Sequence, residues 1–155
     1  MRELAWQRKS PPAGDAGAHP AWTGDPETPL DLAVLRRRLR AAAAAGFSPP
    51  CAAVDDIEWL LLAFEELASN ALRHGRSPAR VAVNVTATGW LIEVSDAAPD
   101  RLPIPTIGRD PALGGLGLHL VARLSHGHGW VVEAGRKRVW AHVVCAAVPP
   151  ADGLN

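Results

Sequence analysis

The chain carries no excess charge of either sign, and that absence excludes one class of partner. Its 155 residues include 16 Lys and Arg against 16 Asp and Glu, so the formal net charge is zero. Direct binding to nucleic acid is not expected, because it needs a dense positive surface. The only dense basic run, residues 36–40, falls on a predicted helix and is typical of a solvated face.

Long apolar runs and cysteine clusters are missing as well. No segment approaches the length of a membrane span, and the N-terminus lacks the continuous apolar stretch of a signal peptide. Cys51 and Cys145 lie in apolar surroundings without metal-ligand spacing. We therefore predict a cytoplasmic protein, with no membrane partner, in which both cysteines are reduced core thiols.

Length and composition predict one domain between two tails. Hydrophobic residues make up 48% of the chain and charged residues 21%, which suits a soluble domain with a usable core. Residues 1–29 are rich in Pro, Gly and Ala and are predicted to be a flexible tail, although Trp6 and Trp22 could dock. Residues 147–155 form the predicted C-terminal tail, so the domain spans residues 30–146.

Hydrophobic periodicity in residues 30–146 predicts three helices and two β-hairpins. The helices are expected at residues 30–45, 55–75 and 116–125, and Asp55 and Glu58 are expected to cap the start of the second helix. The hairpins are expected at residues 81–94 and 129–144. Residues 97–114 contain four prolines and are predicted to be a functional lid. This order predicts an α+β two-layer sandwich, with a mixed, mostly antiparallel sheet covered on one face by about three helices.

The most informative stretch is residues 63–75. Its apolar residues recur at helical spacing, and Glu66 and Asn70 lie four apart on one helix face beside that stripe. A carboxylate and a carboxamide on a buried face are costly without partners, which a metal ion and a nucleotide would supply. The alternative is a solvated helix edge on which Glu66 pairs with Arg73.

Three weaker signals follow this helix in the chain. Asp96 ends an apolar strand, where it is either a turn-forming residue or an acceptor for an exocyclic amine such as that of adenine. Residues 114–118, Gly-Gly-Leu-Gly-Leu, open a helix whose free N–H groups could bind phosphate, although a flexible loop alone explains such glycines. His126 and His128 predict a helix-end cap region rather than a metal site.

The chain resembles the GHKL (Bergerat-fold) ATPases, which include histidine-kinase catalytic domains and gyrase-type ATPases. The resemblance lies in the order of its motifs: a helix with Glu66 and Asn70, a strand that ends in Asp96, and a glycine-rich helix start. Within that superfamily the chain is most similar to the small bacterial anti-sigma-factor serine kinases. The resemblance covers about residues 30–146. It rests on an N-box at 66–75 (Glu-Leu-Ala-Ser-Asn-Ala-Leu-Arg-His-Gly), a second glycine box at 115–118 and a final hairpin around 135–140.

The resemblance implies bound ATP or ADP with Mg²⁺ and assigns roles to individual residues. Glu66 is implied as the general base, Asn70 as the Mg²⁺ ligand and Asp96 as the acceptor for the adenine amine. The other implied nucleotide contacts are Arg73, His74, Ala98, Gly115, Gly117 and Leu118.

Two positions depart from the family pattern. Ala98 stands where the family has a glycine, and its methyl group could crowd the adenine. Arg138 stands near the position of a family threonine that lies beside the adenine, with the register uncertain by a residue. Together they leave nucleotide binding expected and turnover open.

The implied function is an ATP-binding anti-sigma factor that binds a sigma factor and phosphorylates an antagonist protein on serine. The main alternative is a non-catalytic, nucleotide-gated partner-binding module of the same fold. A detached histidine-kinase domain and a ligand-free sandwich are weaker alternatives. The resemblance also implies a homodimer, and Arg36, Arg37 and Arg40 on the first helix form a candidate partner surface.

Overall fold

The computed structural model describes residues 6–12, 21–103 and 116–148. Over these ranges, five strands and three helices follow one another along the chain. They are β1 (Trp22–Gly24), α1 (Pro29–Ala44), α2 (Val54–His74), β2 (Arg80–Val85), β3 (Gly89–Asp96), α3 (Leu116–Leu124), β4 (Ser125–Glu133) and β5 (Arg136–Val144).

The five strands form one sheet in the order β1-β2-β3-β5-β4, with every neighbouring pair antiparallel. Buried residues alternate along β2, whereas β3 and β5 also contain consecutive buried residues. Helix α2 packs against β3 and β5, and α3 packs against β4 and β5. The buried residues of one sheet face and of the helices form a common core, which includes Val83, Ile92, Leu60, Phe64 and Val121. The predicted α+β sandwich is confirmed.

Helix α1 begins where the chain offers a complete N-terminal cap. The Thr28 hydroxyl accepts a hydrogen bond from the Asp31 N–H at 3.3 Å, and the Asp31 carboxylate accepts one from the Thr28 N–H at 3.0 Å. These reciprocal bonds satisfy two N–H groups that have no partner within the helix. The predicted helix at residues 30–45 is confirmed to within a residue.

The start of α2 differs from the prediction in its capping residue. We predicted that Asp55 and Glu58 form the cap, but the Ala53 N–H donates to Asp56 at 2.8 Å. The helix begins one residue earlier than predicted, so Asp56 occupies the capping position. Glu58 turns towards α1 instead, where it forms an ion pair with Arg40 and a looser contact with Arg36.

The predicted N-terminal tail includes two ordered stretches. Residues 22–24 form β1, and residues 7–9 lie along β4, where the Lys9 N–H donates to the Trp130 carbonyl at 2.9 Å. Trp6 is only 7% exposed, and its indole N–H donates to the Leu118 carbonyl at 3.2 Å. The Pro- and Gly-rich composition of this segment predicts flexibility, and ordering it costs conformational entropy. Burial of the indole offsets part of that cost.

The prediction for the cysteines is wrong. Cys51 and Cys145 form a disulfide, with their Cα atoms 6.1 Å apart although 94 residues separate them in the chain. Sequence spacing does not report this proximity, which arises because the loop before α2 meets the end of β5.

The predicted role for the histidines is also wrong. His126 and His128 lie in β4, which begins directly after α3 at Ser125, so they do not cap a helix. The residues with described placement contain no group of three or more His, Cys, Asp or Glu side chains that could hold a metal ion. Among the helices described, none is both long enough and apolar enough to cross a membrane.

Candidate functional site

The polar edge of α2 follows the buried stripe as the sequence predicts. Glu66 and Asn70 are half-buried beside Leu67 and Ala71, which face the core. Arg73 and His74 are exposed in the last turn, where the negative end of the helix dipole stabilises a positive charge.

The alternative pairing of Glu66 with Arg73 is not formed, since no ion pair joins the two residues in the described part of the chain. Burial raises the pKa of Glu66 above its ordinary value, and the neighbouring charge of Glu65 raises it further. The positive charge of Arg73 opposes this rise in pKa. A carboxylate with a raised pKa is a better proton acceptor near neutral pH than an ordinary one.

The first turn of α3 lies directly against the Glu66 carboxylate. A Cβ atom added at Gly117 would overlap a carboxylate oxygen of Glu66 and would lie 2.5 Å from its Cδ atom. Only glycine permits this approach of backbone to side chain. The fold therefore brings the N-box helix and the second glycine box together, as the resemblance implies.

The first N–H groups of α3 have no partner within the helix, so this helix end suits an anion. Leu118 is buried, and its carbonyl is the group that accepts the Trp6 indole N–H. The N-terminal segment thus anchors the helix that faces Glu66. Gly115, the other glycine assigned to phosphate, lies outside the described residues.

Asp96 ends β3 as predicted, but its carboxylate is committed to protein groups. It is 1% exposed; one oxygen accepts the Ala98 N–H at 2.8 Å, and the other lies 3.4 Å from the Lys137 ammonium. Lys137 lies directly opposite Asp96 in the antiparallel pairing of β3 with β5 and is 2% exposed.

Sequence reasoning missed Lys137 because it placed Arg138 beside the adenine. In the structure Arg138 is opposite Ser95, one residue out of register with Asp96, and pairs with Glu133 at 2.6 Å. Successive residues of a strand point to opposite faces, so Arg138 points away from the face that carries Asp96. The alternation of β5, with Val139 and Ala141 facing the core, was the signal that could have identified Lys137.

Ala98 does not disturb the local backbone. It is fully buried, and the described residues with a positive φ do not include it, so this position does not require the glycine of the family pattern. Its N–H donates a hydrogen bond to the Asp96 carboxylate, which forms a short turn over residues 96–98.

The end of α2 and the end of β3 are held together. A Cβ atom added at Gly75 would lie 2.5 Å from the Asp96 carboxyl carbon. Arg101 donates to the His74 and Gly75 carbonyls at 3.2 and 3.4 Å. Glu66 and Gly75 are nine residues apart on one helix, which corresponds to about 14 Å along its axis. The carboxylates of Glu66 and Asp96 therefore lie at the two ends of this stretch of the chain. We call them the phosphate end and the base end of the candidate site, after the roles that the resemblance implies.

The donor set at the phosphate end fits a magnesium nucleotide. Mg²⁺ prefers oxygen ligands, and Glu66 and Asn70 present a carboxylate and a carboxamide on one helix face. The backbone of Gly117 can approach the Glu66 carboxylate this closely only because it carries no side chain. Asp96 keeps unused acceptor positions at the base end, because a carboxylate offers about four of them.

A helix N-terminus set against a half-buried carboxylate in an α+β sandwich offers N–H groups that suit the phosphates of a nucleotide. Comparison with family models matches residues 26–142 to the histidine kinase-like ATPase domain. That match spans more than half of the chain, so the chain belongs to the histidine kinase-like ATPase family, and membership implies nucleotide binding. A search of curated proteins found no significant match.

Proposed function

We propose that this protein is an ATP-dependent protein-serine kinase of the anti-sigma type, which binds a sigma factor and phosphorylates a serine of an antagonist protein. The observation that carries the proposal is the contact between the Gly117 backbone and the half-buried carboxylate of Glu66. It joins a proton acceptor to a helix end suited to phosphate, and phosphoryl transfer needs chiefly such positioning and charge neutralisation.

In the proposed reaction, Glu66 accepts the proton of the attacking serine hydroxyl. The serine oxygen forms a bond to the γ-phosphorus as the bond to the leaving ADP breaks. Asn70 would hold Mg²⁺, and the first N–H groups of α3 around Gly117 and Leu118 would orient phosphate oxygens. When bound, Mg²⁺ neutralises the charge of the triphosphate. Asp96 accepts a hydrogen bond from the adenine amine.

The remaining proposals concern partners and compartment. We propose the sigma factor and its antagonist as protein partners, a homodimer as the assembly, and the cytoplasm as the site of action. Disulfides are rare in the cytoplasm, so a disulfide between Cys51 and Cys145 in the cell would count against that compartment. Of the three arginines on the candidate α1 surface, Arg36 and Arg40 contact Glu58 and Arg37 is exposed, so we propose Arg37 as the first of them to contact a partner.

One observation favours a second function, a non-catalytic nucleotide-gated binding module. Lys137 already holds the Asp96 carboxylate at the base end, which weakens the case for tight nucleotide binding. Such a module would bind its partner without transferring phosphate.

A phosphotransfer assay separates the two functions. The protein is incubated with γ-labelled ATP and a candidate antagonist encoded beside it, and label on the antagonist is measured. Glu66→Gln should keep ATP binding and reduce the transfer rate by about 10²–10⁴-fold, because it removes the general base. Asp55→Asn is the matched control, since it removes an exposed carboxylate of the same helix about 16 Å from Glu66 along the axis and should leave the rate unchanged.

The serine in question is identified by changing it to alanine in the antagonist, which should abolish labelling. Equal transfer by Glu66→Gln and the parent would contradict the assigned base. ATP binding with no transfer by the parent to any antagonist tested would favour the binding module.

A further inference from the structure

The base end of the site contains a cation that the family resemblance does not assign. Lys137 lies 3.4 Å from one oxygen of Asp96, and both side chains are 2% exposed. The ammonium group also donates to the Arg101 carbonyl. The lysine is therefore fixed between two acceptors rather than extended into solvent.

Burial makes the ion pair of Asp96 and Lys137 costly to separate. A buried ion pair holds together strongly once formed, because separating it leaves an uncompensated charge in a medium of low dielectric. An amine of a base that approaches Asp96 must share the carboxylate with Lys137 or displace it. The neighbouring acceptor is constrained as well, since Arg101 is tied to the carbonyls of His74 and Gly75.

We propose that Lys137 is a specificity-determining residue: its ammonium competes with the amine of the base for Asp96. The inference rests on the proposed nucleotide binding at this site. An ammonium group donates hydrogen bonds and accepts none, so it opposes an incoming amine. It tolerates the carbonyl that guanine presents at the corresponding position. The parent protein should therefore bind ATP only slightly better than GTP, with the phosphates providing most of the affinity.

Calorimetric titration with ATP, GTP and inorganic tripolyphosphate, each with Mg²⁺, tests this inference. Lys137→Gln should raise the ATP-to-GTP affinity ratio about tenfold, the usual effect of one hydrogen bond to a charged group. Affinity for tripolyphosphate, which has no base, should not change. The matched control is Arg138→Gln, which removes a positive charge from the next residue of β5 without touching Asp96 and should leave the ratio unchanged.

A second variant guards against misfolding, because Lys137→Gln leaves Asp96 buried without its cation. The double variant Asp96→Asn with Lys137→Gln removes both charges and keeps an acceptor oxygen for the base. Its ATP-to-GTP ratio should exceed that of Asp96→Asn alone, in which Lys137 remains.

Two results would overturn the inference while leaving nucleotide binding intact. One is an unchanged ATP-to-GTP ratio in both lysine variants. The other is a selective loss of ATP affinity in those variants, which would make Lys137 a direct contact to the base. Failure of ATP and tripolyphosphate to bind the parent and every variant would instead refute the proposed function, and this inference with it.

Discussion

Gly117→Ala should separate activity from stability. The added methyl carbon would lie 2.5 Å from Cδ and 3.1 Å from Cγ of Glu66. Carbon atoms in contact normally lie about 3.5–4.0 Å apart, so the carboxyl group must withdraw by about 1 Å or more. It can do so because it is the free end of a flexible side chain.

The cost to folding should be small. An off-rotamer side chain costs about 0.5–1.5 kcal/mol. Replacing glycine by alanine in a helix contributes up to about 1 kcal/mol in the opposite direction. The free energy of unfolding should therefore change by no more than about 1 kcal/mol, as measured by urea denaturation.

The cost to catalysis should be much larger. A displacement of about 1 Å in a catalytic group can reduce a rate by about 10²-fold. The phosphotransfer rate at saturating ATP should fall by that factor in Gly117→Ala. Gly127→Ala is the matched control, because its new Cβ would meet the Trp140 ring at an ordinary 3.5 Å. A parental rate in Gly117→Ala, or loss of its fold, would refute the reasoning.

Three further predictions concern stability. Trp6→Ala should lower the free energy of unfolding by about 3 kcal/mol, because it empties a buried indole site, whereas Trp59→Ala, at a position 43% exposed, should cost less in the same urea titration. Glu66→Gln should raise the melting temperature at pH 7 and lose that advantage below pH 4.5: the folded-state pKa of Glu66 is raised, so ionisation of its carboxylate opposes folding only above its ordinary pKa of 4.5. An advantage over the parent in melting temperature that is no larger at pH 7 than at pH 4 would contradict this. Thiol titration of the denatured, unreduced protein should detect no free thiol, and reductant should lower the free energy of unfolding by about 2–4 kcal/mol in the parent but not in the Cys51→Ser, Cys145→Ser double variant.

Local patterns in the sequence were sufficient for most of the fold. The apolar stripe of α2 is long and strongly periodic, so its bounds were predicted to within a residue. The strands alternate apolar and polar residues, and their pairing as hairpins follows from the turns between them. The structure brings Glu66 and Gly117 together in the way that the order of the motifs indicated.

Three of the missed features depend on contacts between distant parts of the chain. The disulfide joins residues 94 apart, and the Trp6 hydrogen bond to Leu118 joins residues 112 apart. The pairing of Asp96 with Lys137 depends on the register of β3 with β5, and a shift of one residue would have placed Arg138 there. The alternation of β5 indicates which of its residues share a face, but no local pattern fixes which of them lies opposite Asp96, because the two strands are not joined by a single turn.

Calorimetric titration of the parent protein with ATP and with ADP, each with and without Mg²⁺, is the most direct test of nucleotide binding at this site. We expect micromolar binding of ATP that weakens when Mg²⁺ is withheld. Asn70→Ala should weaken that binding, and Ser69→Ala, a change at the preceding residue of the same helix, should not. Absence of binding at millimolar nucleotide, or equal binding by the parent and Asn70→Ala, would contradict the account.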